Sequence, residues 1–189
     1  YPMPPMPRHD GVKEGILKGM YRYREADTAS AGSARHKAVL LGSGAILNQA
    51  LKAQQFLAEQ FDVAADVWSV TSYKALRQDG MACDRHNLLH PGEAPRTPYV
   101  TQCLGGEEGV IVAASDYVKL LPDGIARWVP GGLTSLGTDG FGRSDCRESL
   151  RDFFEVDYRF ITLGVLSALA RRGGISPDAV VKAMKTMGI

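Results

Sequence analysis

The sequence predicts a three-layer α/β/α domain on a mostly parallel sheet of about five strands, with one antiparallel edge strand. Three observations carry this. Short apolar runs ending at glycine or small residues alternate with helical stretches, as in Val39-Leu40-Leu41 before Gly42. Several of these runs are apolar throughout, notably Gly109-Val110-Ile111-Val112-Ala113-Ala114, which suits a strand covered on both faces. By contrast, Lys18-Gly19-Met20-Tyr21-Arg22-Tyr23-Arg24 alternates apolar and charged residues, the pattern of an exposed edge.

The elements follow in order. Tyr1-Pro2-Met3-Pro4-Pro5-Met6-Pro7 holds four prolines in seven residues, and each fixes φ and lacks an N–H, so an extended polyproline-like arm is expected. Gly11 to Ile16 reads as a connection. Residues 1–16 are assigned to an arm or linker and 17–189 to the domain, and the start at Tyr1 suggests further sequence upstream. After the edge strand, Ala26 to Ala34 is small and polar, a flexible loop, and His36 to Leu41 is a buried strand that pairs with the edge strand as a hairpin.

Ile46, Ala50, Ala53, Leu57 and Phe61 recur at helical spacing, so one face is apolar. Asp66 to Thr71 is strand-like, Tyr73 to Arg77 begins a short helix, and Met81 to Pro98 reads as irregular. Tyr99 to Leu104 fits either a helix or a strand. Beyond the strand at Gly109, Tyr117 to Leu121 starts a helix weakened by Pro122 and Gly124, and Leu133 to Gly137 is the last strand. Three helices close the chain. The first is expected to be capped by Ser144 or Asp145, with Glu148 completing a capping box. The second follows Asp157; its apolar residues surround the whole circumference, so cover from a partner domain or a second copy is expected. The third starts at Ser176-Pro177-Asp178, with Val180, Val181, Met184 and Met187 as its apolar face.

With 189 residues the chain can bury roughly 70% of its unfolded surface in a single core. Its composition is 44% hydrophobic and 23% charged with a net charge of +1, and no basic stripe points to nucleic acid. The longest apolar stretch, Phe160 to Ala170, is too short to cross a bilayer, and no signal-peptide pattern opens the chain. Cys83, Cys103 and Cys146 cannot all pair, which suits a reducing cytoplasm.

Four motifs bear on chemistry. Gly42-Ser43-Gly44 lies between a strand and a helix, where backbone N–H groups can meet an anion. A dinucleotide fingerprint would need a third glycine at Leu47 and an acid near Thr71, so a tight structural turn is favoured. Cys83, His86 and His90 offer thiolate and imidazole, which suit zinc, but a structural site needs a fourth ligand and the cluster reads as incidental. Ser43 lacks a nucleophile elbow. The densest signal is Gly137-Thr138-Asp139-Gly140-Phe141-Gly142-Arg143-Ser144-Asp145, a constrained loop ending near a helix start. Asp139, Phe141, Arg143, Ser144 and Asp145 are the candidate interface or active-site-mouth residues.

This loop, continued by Arg147-Glu148-Ser149-Leu150 and Phe154-Glu155-Val156-Asp157, resembles the end of the single-chain, homodimeric bacterial pyruvate dehydrogenase subunits. Gly15 to Tyr21, Leu40 to Gly44, Val67 to Ser72, Leu88 to Pro91 and Ala114 to Tyr117 agree in order. A looser resemblance, in Phe141-Gly142 with Ser144 and in the strand before Gly42, extends to the transketolase C-terminal domain.

The resemblance implies an intact enzyme that uses thiamine diphosphate and magnesium to decarboxylate pyruvate and acetylate a lipoyl group on an acetyltransferase. It implies a non-catalytic part for this chain, supporting the dimer with upstream domains and a second copy, with no cofactor held here and no membrane or nucleic-acid partner. The alternatives are a regulatory module binding a small anion at Gly42–Gly44 or Arg143, and an independent nucleotide-binding enzyme.

Overall fold

The computed structural model describes residues 4–27 and 34–189. Helix α1 (Val12–Lys18) leads into strand β1 (Met20–Arg24), followed by β2 (His36–Ser43). A single 3-10 turn (Gly44–Ile46) opens α2 (Leu47–Phe61), which returns to β3 (Val63–Val70). Next come α3 (Tyr73–Leu89), α4 (Tyr99–Leu104), β4 (Val110–Ala114), the short α5 (Leu120–Asp123) and β5 (Thr134–Leu136). Helices α6 (Arg147–Phe153), α7 (Tyr158–Arg171) and α8 (Pro177–Met187) close the chain.

Among the described residues five strands run in the order β1-β3-β2-β4-β5, parallel except for β1, which joins β3 antiparallel at one edge. This is the predicted three-layer architecture. Strand alternation divides the core in two. Ala38 and Leu40 of β2 pack with Ala53 and Leu57 of α2 and with Val165 and Leu169 of α7. Val39 and Leu41 point the other way, toward Leu76 of α3, Leu104 of α4 and Trp128. Each such valine or leucine is worth about 1.5–3 kcal/mol when fully buried, so a strand buried on both faces anchors both layers.

Several expectations are corrected. The hairpin between β1 and β2 does not form, because β3 and β4 occupy both edges of β2; β1 crosses to β3, with Met20 opposite Val70. Gly11 to Ile16 is not a plain connection: Gly11 and Gly19, both at positive φ, flank α1, and Glu14 and Lys18 pair one turn apart at 2.7 Å. Met81 to Pro98 is irregular only in its second half, since α3 continues to Leu89.

The start of α6 carries no side-chain cap. Cys146 holds the cap position, and Asp145 accepts a hydrogen bond from its N–H at 2.6 Å instead. On α8, Val181 is exposed and Ala183 takes the buried position beside Met187. Helix α7 is buried around most of its circumference, as its residues require. The cover comes from within the chain, where α2 and α8 flank it over β4. The caps predicted for α7 and α8 form: Asp157 accepts from the Arg159 N–H at 2.8 Å and Ser176 from the Ala179 N–H at 3.2 Å. The loop from Ala26 to Ala34 lies mostly outside the described residues.

The edge strand is tied down by charge and by the arm. Arg22 pairs with Glu107 and with Glu25, and its guanidinium lies 5.2 Å from the Trp68 ring. Tyr23 donates to the Pro5 carbonyl at 2.7 Å. His9 meets two carbonyl oxygens, Asp10 at 3.0 Å from Nδ1 and Arg22 at 2.9 Å from Nε2. Because both partners only accept, both ring nitrogens donate only in the imidazolium form.

Two outcomes follow. The carbonyls of Asp10 and then Arg22 hold the His9 pKa above its usual 6.5. A folded pKa above the unfolded one stabilises the docked arm below the unfolded value, and that contribution is lost as pH rises through the folded pKa. Amide protection in residues 5–10, taken relative to the intrinsic base-catalysed exchange rate at each pH, should therefore fall as pH rises from near 6.5, and NMR titration should place the His9 midpoint above 6.5. A midpoint at or below the free value removes the arm contact.

The second concerns Gly80 in α3, where a Cβ would lie 2.6 Å from the Trp128 ring. Trp128 is fixed there by donating to Asp84 at 3.1 Å. Gly80→Ala gains roughly 1 kcal/mol of helix preference, but overpacking costs about 1–3 kcal/mol. Urea unfolding should show net destabilisation; a raised midpoint would mean that the indole yields freely.

Candidate functional site at the carboxyl end of the sheet

Strand order decides where the site lies. From β2 the chain passes through α2 on one face and returns to β3; from β4 it passes across the other face, through Ile125 and Trp128, and returns to β5. The neighbours β2 and β4 thus send their connections apart, and a crevice opens beyond their carboxyl ends, where ligands meet open α/β sheets. A cleft of about 640 Å³ occupies this place. Ala45 and Ile46 line it after β2, Asp116 and Val118 after β4, and Thr138 and Gly140 after β5.

Close backbone approach builds the crevice. Gly42 packs so tightly that a Cβ would lie 2.9 Å from Leu47 Cα, and Gly44 turns with φ of 53° beside the Asp116 carboxylate. The loops after β4 and β5 are laced together. Thr138 donates from its N–H to the Tyr117 carbonyl at 2.9 Å and from its hydroxyl to the Asp116 carbonyl at 2.8 Å.

All five predicted residues lie on one loop at the mouth of this cleft, but their parts differ. Asp139 is an anchor: it accepts from the Lys119 N–H at 2.9 Å and approaches Lys119 Nζ at 3.4 Å. The hydrogen bond from that N–H holds its carboxyl below the usual range. Phe141 is 95% exposed. Arg143 lines the cleft, and its guanidinium carbon lies 5.0 Å from the Phe153 ring centroid. Ser144 is exposed, and Asp145 is spent on the Cys146 N–H. Every residue from 139 to 149 is exposed, and α6 has no buried residue.

The sequence reading did not single out Arg147, Arg151 or Asp116, which share the lining with Arg143. The signal for the arginines was present, since 143, 147 and 151 recur at intervals of four residues, the spacing of one helix face. The Cys83–His86–His90 cluster serves the end of α3. His86 and His90 stack at 4.5 Å and both reach Glu93, at 3.3 and 3.1 Å, while burial pushes the Cys83 thiol up. Among the described residues no three His, Cys, Asp or Glu side chains gather as metal ligands would.

The comparisons agree with this architecture. A family profile described as the transketolase-like TK C-terminal domain matches residues 19–157. The pyruvate dehydrogenase E1 component of Pseudomonas aeruginosa is 48% identical over 190 aligned residues, spanning 100% of this chain and 21% of the relative. That of Mycolicibacterium smegmatis is 43% identical over 97% of this chain and 19% of the relative. The Escherichia coli (strain K12) component is 42% identical over 100% and 20%. The chain therefore spans about a fifth of the length of the curated relatives it matches. Transketolase from Leishmania mexicana superposes with a TM-score of 0.57 at 18% identity, covering 87% of this chain and 20% of that one, and so shares the fold. The resemblance carried by Thr138 to Asp157 is borne out, and the chain belongs to the transketolase-like C-terminal domain family.

Proposed function

We propose that this chain is the C-terminal, non-catalytic domain of a pyruvate dehydrogenase E1 component, supporting dimer assembly and the entrance to an active site built by other domains. The observation that carries the reading is identity of 48% along the whole chain to a protein of that name. The activity of the complete enzyme would be decarboxylation of pyruvate and acetylation of a lipoyl group on an acetyltransferase partner, in the cytoplasm. Residues 1–16 would connect to the upstream domains and 17–189 form the domain proper. No helix among the described residues is long and apolar enough to cross a membrane.

The residues present do not fit the thiamine diphosphate and magnesium of that activity. Asp116 is the one carboxylate lining the cleft, and no metal-ligand cluster forms among the described residues. The part of this chain is to hold the 139–155 segment in place: a loop with an exposed aromatic, followed by an unburied helix, is a surface shaped for protein contact.

A chimera tests this. Replacing the matching fifth of the P. aeruginosa E1 component with this chain should retain pyruvate-dependent turnover within about tenfold of the parent, one decade being 1.4 kcal/mol. A folded, dimeric chimera with no turnover refutes the assignment. Arg143→Ala should change the stability of the isolated chain by less than about 0.5 kcal/mol, because the side chain is exposed. In the chimera the same change should strand a buried partner charge, at a cost of roughly 3–5 kcal/mol. Sedimentation should then show a looser dimer, or turnover per dimer should fall. Unfolding of the isolated variant with full turnover in the chimera gives Arg143 a purely structural role.

A further inference from the structure

We propose that the cleft between the ends of β2 and β4 is a docking groove for an extended acidic segment of the longer protein, supplied by sequence outside these residues. The proposal rests on the reading above that segment 139–155 faces protein, and it names the chemistry of what is faced.

The first ground is charge. Among the described residues, Arg143, Arg147, Arg151 and one carboxylate, Asp116, line the cleft. Arg147 and Arg151 lie four residues apart on α6, a rise of about 6 Å along the helix axis. Side chains on one face of an extended strand repeat every ~6.5 Å. Carboxylates at alternate positions of such a strand would match the spacing of successive guanidinium groups. The phosphates of a diphosphate lie too close together to match this spacing.

The second ground is the rim. Phe141 is 95% exposed, Tyr117 63% and Phe153 59%. A small anion held by the arginines would leave these rings in water; a polypeptide crossing the cleft covers them. The floor is apolar, with Ile46, Leu150 and Val156, and accepts the side chains between the acids. The third ground is length. Relatives that match the whole chain are about five times as long, so most of the polypeptide packs from outside it, and the uncovered rim is where this domain has surface to give.

Two measurements test it. In the chimera with the P. aeruginosa component, benzoylphenylalanine in place of Phe141 should photo-crosslink to a segment outside this domain that carries Asp or Glu at alternate positions. On the isolated chain, a synthetic peptide alternating Glu and Val should shift the NMR signals of residues 44–46, 116–118 and 138–156. Arg147→Ala/Arg151→Ala should weaken that binding roughly fivefold or more, and Arg85→Ala, on the exposed side of α3, should not. An unchanged thermal midpoint in the double variant separates lost docking from lost fold. Crosslinks to a non-acidic segment overturn the proposal. So does equal binding of a peptide with its glutamates contiguous, or competition by a sugar bisphosphate at lower concentration than the peptide. An active chimera with such results leaves the domain assignment standing and removes only the acidic groove.

Discussion

Burial of β2 on both faces is the constraint from which the rest of the structure follows. Val39, Leu40 and Leu41 are together almost inaccessible, and no polar side chain lies between Ala38 and Leu41 to turn either face toward water. Helices must therefore cover both sides, and the chain places them by leaving β2 on one face and β4 on the other. That divergence is possible because the exit from β2 is built of Gly42, Ser43 and Gly44. At Gly42 any side chain would collide with the first turn of α2, and at Gly44 the backbone reverses with positive φ. The crevice between β2 and β4 is the geometric consequence of covering one central strand twice.

The antiparallel edge solves a different problem. Strand β3 carries Asp66 in its middle, a residue that neither core accepts, and β1 brings Arg22 to it at 3.9 Å. Glu107 joins from the loop before β4. Burial raises its carboxyl pKa, Arg22 opposes that effect, and Asp66 adds to the rise. Gln54 of α2 completes the seam, donating to the Ala65 carbonyl at 2.6 Å and to the Glu25 carbonyl at 3.0 Å while accepting from Arg24. A polar cluster thus selects β1 for this edge, and it explains why the strand nearest in sequence, β2, is not its partner.

What was legible in the sequence was local. The apolar runs of β2 and β4, the helical period of α2, and the caps Asp157 and Ser176 each act within a few residues, and each formed as expected. What was not legible depends on partners far along the chain. Gly80 sits within α3 to admit the indole of Trp128, and without that partner Asp79-Gly80 looks like a helix end. At the site, Asp139 to Asp145 stood out because glycines and charges are concentrated there. Asp116 reaches the same cleft only through the order of strands. Arg147 and Arg151 have the four-residue spacing of one helix face, but which way that face turns depends on the loops after β2 and β4 across the cleft.

Helix α6 itself shows how a short uncovered segment can present a fixed row of arginines. Seven residues are too few for a stable helix in isolation, and this one has neither a buried side chain nor a side-chain cap. Its order comes from its carboxyl end. Arg159 bridges Asp152 and Asp157, joining the last turn of α6 to the cap of α7. Between them Glu155 adopts φ of 58°, a left-handed conformation that costs a residue other than glycine on the order of 1 kcal/mol. The Val156 N–H closes back on the Arg151 carbonyl at 3.0 Å and holds that conformation in place. Together with Val156, buried in the core, and Phe154, packed against it, these contacts fix how α6 joins the buried α7. The amino end of α6 and its loop lie open to solvent, so the row of arginines is held from one end only.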